Sequence, residues 1–111
     1  MTENQPGPCS IVKSFEIVGS KWKLIVLNDL QSGEKRFNQL KRSTEASSRT
    51  LSRVLQNLRE EGLVEKRMED GSPVATFYSL TDSGTALYPV FEEIEAWADD
   101  WLEGDLKNPE A

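Results

Sequence analysis

Arg49 and Arg53 stand four residues apart, with Ser48, Thr50, Ser52 and Gln56 around them. A guanidinium forks onto a guanine edge or a phosphate, and hydroxyls and amides donate to either. At a spacing of four, the two arginines share one face of a helix. Arg36, Lys41 and Arg42 add positive charge upstream, and Lys66 and Arg67 add more downstream. The chemistry this set points to is recognition of a polyanion rather than the making or breaking of bonds. The chain has no histidine, no Gly-rich phosphate loop and no metal-ligand spacing, so neither an enzyme nor a cofactor is expected. An exposed face with two arginines is also an ordinary solvated surface, so the surrounding elements must decide between the two.

Cys9 is the single cysteine, which excludes an internal disulfide. It falls at the start of a candidate helix with Lys13 one turn on, and both features lower a thiol pKa. Two readings stand side by side, an inert or buried thiol and a redox-sensitive one. With no second cysteine, the sensitive form has only an adduct, a sulfenic acid or a Cys9–Cys9 bridge across a dimer available.

The formal net charge is −6, which by itself opposes binding to phosphate. Its distribution does not. Residues 21–67 carry eleven Lys or Arg against six acids, whereas residues 82–111 carry nine acids against Lys107 alone. A basic middle joined to an acidic C-terminal segment suits a nucleic-acid-binding centre attached to an element facing solvent or a partner. The longest apolar run, Leu24 to Leu27, is far too short to cross a membrane, and no secretory segment follows Met1. The expected location is the cytoplasm.

The elements that would position these residues follow from periodicity. Residues 1–8 and 104–111 read as flexible tails around one domain at 9–103. Ile11, Val12, Phe15 and Val18 mark a first helix ending at Gly19, and Ser20 caps a second that runs to Leu30. Phe37 and Leu40 anchor a short third helix. Ser47 caps a fourth running to Glu61, with Leu51, Val54, Leu55 and Leu58 as its inner stripe. Gly62 stops it. Leu63–Glu69 and Val74–Leu80 then form a hairpin around Asp70-Gly71-Ser72-Pro73. Thr81 caps a last helix over 82–102, which Pro89 kinks or breaks. On it Leu87, Val90, Ile94, Trp97 and Trp101 step by three and four, a seam suited to an interface. The fold class is mainly α with a small β-hairpin, a winged helix-turn-helix.

The ordered set Gly19-Ser20-Lys21-Trp22, Lys35-Arg36-Phe37-Asn38-Gln39-Leu40, Ser48-Arg49-Thr50-Leu51, Glu61-Gly62-Leu63-Val64 and Tyr78-Ser79-Leu80-Thr81-Asp82-Ser83-Gly84 resembles the HxlR-type transcriptional regulators. The resemblance covers residues 9–102. It implies a homodimer joined by the N- and C-terminal helices, with Phe15, Leu87, Val90, Phe91, Ile94, Trp97 and Trp101 at the interface. It also implies control of transcription from paired half-sites in double-stranded DNA. Ser48, Arg49, Thr50, Ser52 and Arg53 take the recognition positions, and Arg36 touches the backbone. Some regulators of this type sense oxidants or electrophiles through a cysteine near the N-terminus, the region of Cys9, which leaves room for a small-molecule or oxidant effector.

Two features depart from the pattern. Ala46 stands where a bulkier apolar residue is usual, in a link about one residue short. No Lys or Arg occurs from Met68 to Asp82, so wing contacts to phosphate fall to Lys66 and Arg67. The alternative is a winged-helix module that binds protein through its acidic end and tryptophans without touching DNA.

Overall fold

The computed structural model describes residues 10–71 and 73–102; Cys9 and both expected tails lie outside the described residues. The chain runs α1 (Ser10–Val18), α2 (Lys21–Leu30), β1 (Lys35–Arg36), α3 (Phe37–Thr44), α4 (Ser48–Glu60), β2 (Val64–Glu69), β3 (Ala75–Leu80), α5 (Asp82–Thr85) and α6 (Tyr88–Trp101).

The core is built by α2, α3, α4 and the sheet. Leu51, Val54, Leu55 and Leu58 recur at helical spacing along α4 and are all buried, against Val26, Leu27 and Leu30 of α2 and Leu40 of α3. Burying a leucine side chain removes it from water for roughly 1.5–3 kcal/mol, so this stripe holds α4 in its orientation. Leu63, Val64 and Tyr78 close the core from the sheet side.

Among the described residues the sheet has three strands rather than the two of a hairpin, in the order β1-β3-β2, all antiparallel. Arg36, Phe77 and Arg67 form one cross-strand row, and Lys35, Tyr78 and Lys66 form the next. A two-residue strand is too short to display an alternating pattern, so β1 left no mark in the sequence. It has a consequence for the surface, because pairing with β3 fixes Arg36 beside the wing.

The helix expected over 82–102 is two helices. Proline has no N–H to donate, and its ring collides with the carbonyl four residues earlier. Helix α5 therefore ends at Thr85, and α6 begins again at Tyr88 with Pro89 in its first turn, where proline is tolerated.

Helices α1 and α6 contribute no fully buried side chain. Val18, Leu87 and Phe91 lean on the core, while Ile11, Phe15, Val90, Ile94, Trp97 and Trp101 stay exposed. No helix among the described residues is long and apolar enough to cross a membrane.

Candidate nucleic-acid interface

The junction between α3 and α4 sets the direction of the recognition helix. Thr44 is buried, and its hydroxyl donates to the Leu40 carbonyl at 2.7 Å while accepting from the Ala46 amide at 3.3 Å. Glu45 then takes a left-handed conformation, φ 62°, and its N–H donates back to the Lys41 carbonyl. Ala46 is buried beneath the turn, so a compact side chain suits this short link. Ser47 Oγ accepts from the Thr50 amide at 3.1 Å and opens α4.

With its inner stripe buried, α4 turns Ser48, Arg49, Ser52, Arg53 and Gln56 outward, while Thr50 is half-buried. Arg36 closes β1 just before α3, where its backbone N–H donates to Gln39 Oε1 at 2.8 Å. Lys66 projects from β2, and Lys41 and Arg42 are exposed at the end of α3. The structure thus gathers Arg36, Ser52 and Lys66 around one recess, with Arg49 and Arg53 on the same helix as Ser52.

The cations divide into two populations. Lys23 is bound to Glu61 at 2.7 Å, and Lys35 to Asp29 at 3.0 Å. Arg67 reaches Glu34 at 2.7 Å and Glu69 at 2.6 Å, and its guanidinium lies 4.4 Å from the centre of the Phe77 ring. The hydrogen bond from Arg67 holds the Glu34 carboxyl below its usual range, and these carboxylates raise the arginine further. Arg67, a wing candidate in the sequence, therefore has its charge engaged within the protein. By contrast the side chains of Lys41, Arg42, Arg49, Arg53 and Lys66 have no hydrogen bond or ion pair with any described residue. The Arg36 guanidinium lies 5.9 Å from the centre of the Phe77 ring.

In the sequence Lys23 is one more basic residue of the middle segment, and its role appears only in the fold. The side chain is buried, at 9% exposure, and Nζ also donates to the Ile17 carbonyl at 3.0 Å. Its signal was slight: one lysine inside the apolar run of α2, with a glutamate 38 residues on.

These are the parts of a winged helix-turn-helix: a buried stripe that fixes the second helix, an outward polar face, a wing and a set of unpaired cations. Residues 17–106 match the HxlR-like helix-turn-helix family, and the chain belongs to that family. It is 34% identical over 91 residues to the HTH-type transcriptional regulator YodB of Bacillus subtilis strain 168, covering 81% of both chains. The reduced form of B. subtilis YodB has a similar structure, with TM-score 0.78 and 33% identity over 87% of this chain and 97% of that one. The redox regulator HypR in its oxidized form matches with TM-score 0.75 and 28% identity, over 86% of this chain and 99% of that chain.

Proposed function

We propose that this chain is a cytoplasmic transcriptional regulator that reads duplex DNA as a homodimer, with α4 in the major groove. The single observation that carries the reading is the unpaired state of the cations on the helix-turn-helix. A chain of net charge −6 has carboxylates to spare, and Lys23, Lys35 and Arg67 have taken them. Lys41, Arg42, Arg49, Arg53 and Lys66 on α3, α4 and β2 have not, among the described residues. Charges left open beside a polar helix face fit a polyanion partner. A protein-binding module without DNA draws support from Glu69 and Asp70 on the wing turn, but gives those open cations no task.

The homodimer rests on α1 and α6. Phe15 is 56% exposed, Trp97 55% and Trp101 74%, a large apolar surface for a chain of this size. Leu87 and Phe91 half-pack on their own core, so the interface would be carried mainly by Phe15, Val90, Ile94, Trp97 and Trp101. A two-fold dimer places two copies of α4 about 34 Å apart, which requires an inverted repeat with half-site centres about 10 base pairs apart or a multiple of that.

Selecting bound duplexes from a random pool at several salt concentrations tests this directly. The expected product is such an inverted repeat. Replacing a base-reading arginine, Arg49 or Arg53, by Ala costs about 1–3 kcal/mol and relaxes one position, whereas replacing a phosphate-binding one flattens the salt dependence by about one unit. If neither Arg49→Ala nor Arg53→Ala changes affinity, preference or salt slope, α4 is not the reader and the protein-binding module becomes the account.

Cys9 is proposed as an oxidant- or electrophile-responsive thiol. This is supported by the reduced and oxidized forms in which its relatives YodB and HypR have been solved. A Cys9→Ser variant whose operator affinity still falls with oxidant as the parent's does would remove that role.

A further inference from the structure

Lys23 is a buried cation in the apolar run of α2, where a methionine or leucine would pack with less desolvation. Its ammonium finds an acceptor for every N–H it carries. Nζ donates to Glu61 Oε2 at 2.7 Å, to Glu61 Oε1 at 3.0 Å and to the Ile17 carbonyl at 3.0 Å. Both partners sit at helix C-termini, Ile17 one residue before the end of α1 and Glu61 as the cap of α4. The carbonyl of Ile17 is among those a helix end leaves unpaired. A cation is favourable at such an end, but a carboxylate is not. The helix dipole therefore does not account for Glu61; Lys23 does.

These bonds span a joint. Helix α1 buries no side chain fully, Val18 leans on the core, and Gly19 and Ser20 alone separate α1 from α2. Among the described residues one side-chain hydrogen bond ties α1 to another element, that from Lys23 to Ile17. On the far side of the joint, α4 is fixed in the body of the domain by its buried stripe. The angle between α1 and that body therefore depends on the ammonium. A small change of angle has a large effect at the other end of α4. Its thirteen residues rise about 20 Å. A tilt of about 10° at Glu61 thus moves the reading end by about 3 Å, close to the rise of about 3.4 Å per base pair.

We propose that Lys23, through Glu61 and Ile17, is a positioning residue for operator recognition: it sets the angle between α1 and α4 and so fixes the half-site spacing that the dimer accepts. The inference rests on the DNA-reading homodimer proposed above, in which α1 belongs to the interface, and adds the device that holds its geometry. An ion pair suits this task better than an apolar contact. Apolar burial has no preferred direction and lets surfaces slide, whereas a carboxylate and a carbonyl accept a hydrogen bond only within a narrow range of distance and angle.

The test uses the full chain and a selected operator whose central spacer is lengthened or shortened by one base pair. The parent loses about tenfold or more in affinity on either change, whereas Lys23→Met and Glu61→Gln lose about threefold or less. Affinity for an isolated half-site is the same for all three proteins, because the face of α4 is untouched. Val26→Ala, at a buried position of the same helix, loosens the core but leaves the ammonium in place, and it keeps the parent's discrimination. Near-ultraviolet circular dichroism checks that each variant is folded at the assay temperature, and Glu61→Gln carries the test if Lys23→Met is not. If the folded variants bind the operator as dimers and discriminate spacers as the parent does, Lys23 is not a positioning residue and reading by α4 stands. The same follows if Val26→Ala relaxes the spacing equally, or if the parent ignores spacing. If the parent is a monomer or binds no selected duplex, the homodimer reading itself falls and takes this role with it.

Discussion

Lys23 Nζ lies 2.7 Å from Glu61 Oε2 and 3.0 Å from the Ile17 carbonyl, so one buried ammonium joins the end of α1, the start of α2 and the end of α4. The neighbouring Gly62 carbonyl accepts from Thr81 at 2.6 Å and from Ser83 at 3.0 Å. Three segments of the sequence pattern, around residues 19–22, 61–64 and 78–84, thus meet at one knot beneath the recognition helix. The knot explains why they occur together.

Removing one partner of a partly buried pair leaves the other without its countercharge. Lys23→Met keeps the aliphatic stem, and because Glu61 keeps some access to water the expected cost is about 2 kcal/mol, below the range for fully buried pairs. Urea unfolding measures it. The salt slope of DNA binding stays that of the parent, because Lys23 meets no phosphate.

Gly84 admits no side chain. A Cβ there would lie 2.3 Å from the Leu63 carbonyl oxygen, and backbone cannot swing aside as a flexible side chain can. Gly84→Ala destabilises the domain by about 3 kcal/mol and lowers the thermal midpoint. An unchanged midpoint would show that the 62–64 and 81–84 segments are not packed as described.

Glu45 is the one described non-glycine residue with positive φ, 62°. Glycine adopts that conformation without steric cost, although it gives the unfolded chain more freedom to lose. The balance favours Glu45→Gly by up to about 1 kcal/mol, read as a rise in the denaturation midpoint with operator preference unchanged.

Burial raises the Tyr78 phenol above its ordinary value, against a smaller opposing effect of Arg59. An acid raised by folding deprotonates first in the unfolded chain. Its stabilisation is complete below the unfolded value near 10 and is lost as pH rises from there through the folded value. Denaturant titrations at about pH 9 and about pH 11 therefore show a larger fall in stability for the parent than for Tyr78→Phe.

Trp97 and Trp101 support no monomer core, since both are more than half exposed. If α6 carries the proposed dimer, changing both to Ala weakens it at least about a hundredfold, and analytical ultracentrifugation is expected to show monomer with near-parent helix content. An unchanged dimer would move the interface away from α6.

Local order declared the helices, the caps at Ser20, Ser47 and Thr81, the buried stripe of α4 and the turn between the wing strands. Each is written in neighbouring residues: a period of three and four, a hydroxyl before an apolar run, or a Gly-Pro cluster. The outward set on α4 was legible for the same reason, because an amphipathic helix with a known inside has a known outside. Pro89 announced a break or kink, and local sterics made it a break.

Which charges remain free was decided only in three dimensions. Lys23 and Glu61 are 38 residues apart, and Arg67 and Glu34 are 33 apart; Coulomb attraction acts on distance in space, about which sequence separation says nothing. So Arg67, which looked like Lys66 in the sequence, is engaged by Glu34 and Glu69, while Lys66 remains open. The strand β1 belongs to the same class, for its two residues gain their hydrogen bonds only because β3 passes beside them. The sequence by itself determined the family of fold and the face that α4 offers. Only the packing of distant segments determined which cations around that face are left without a partner among the described residues.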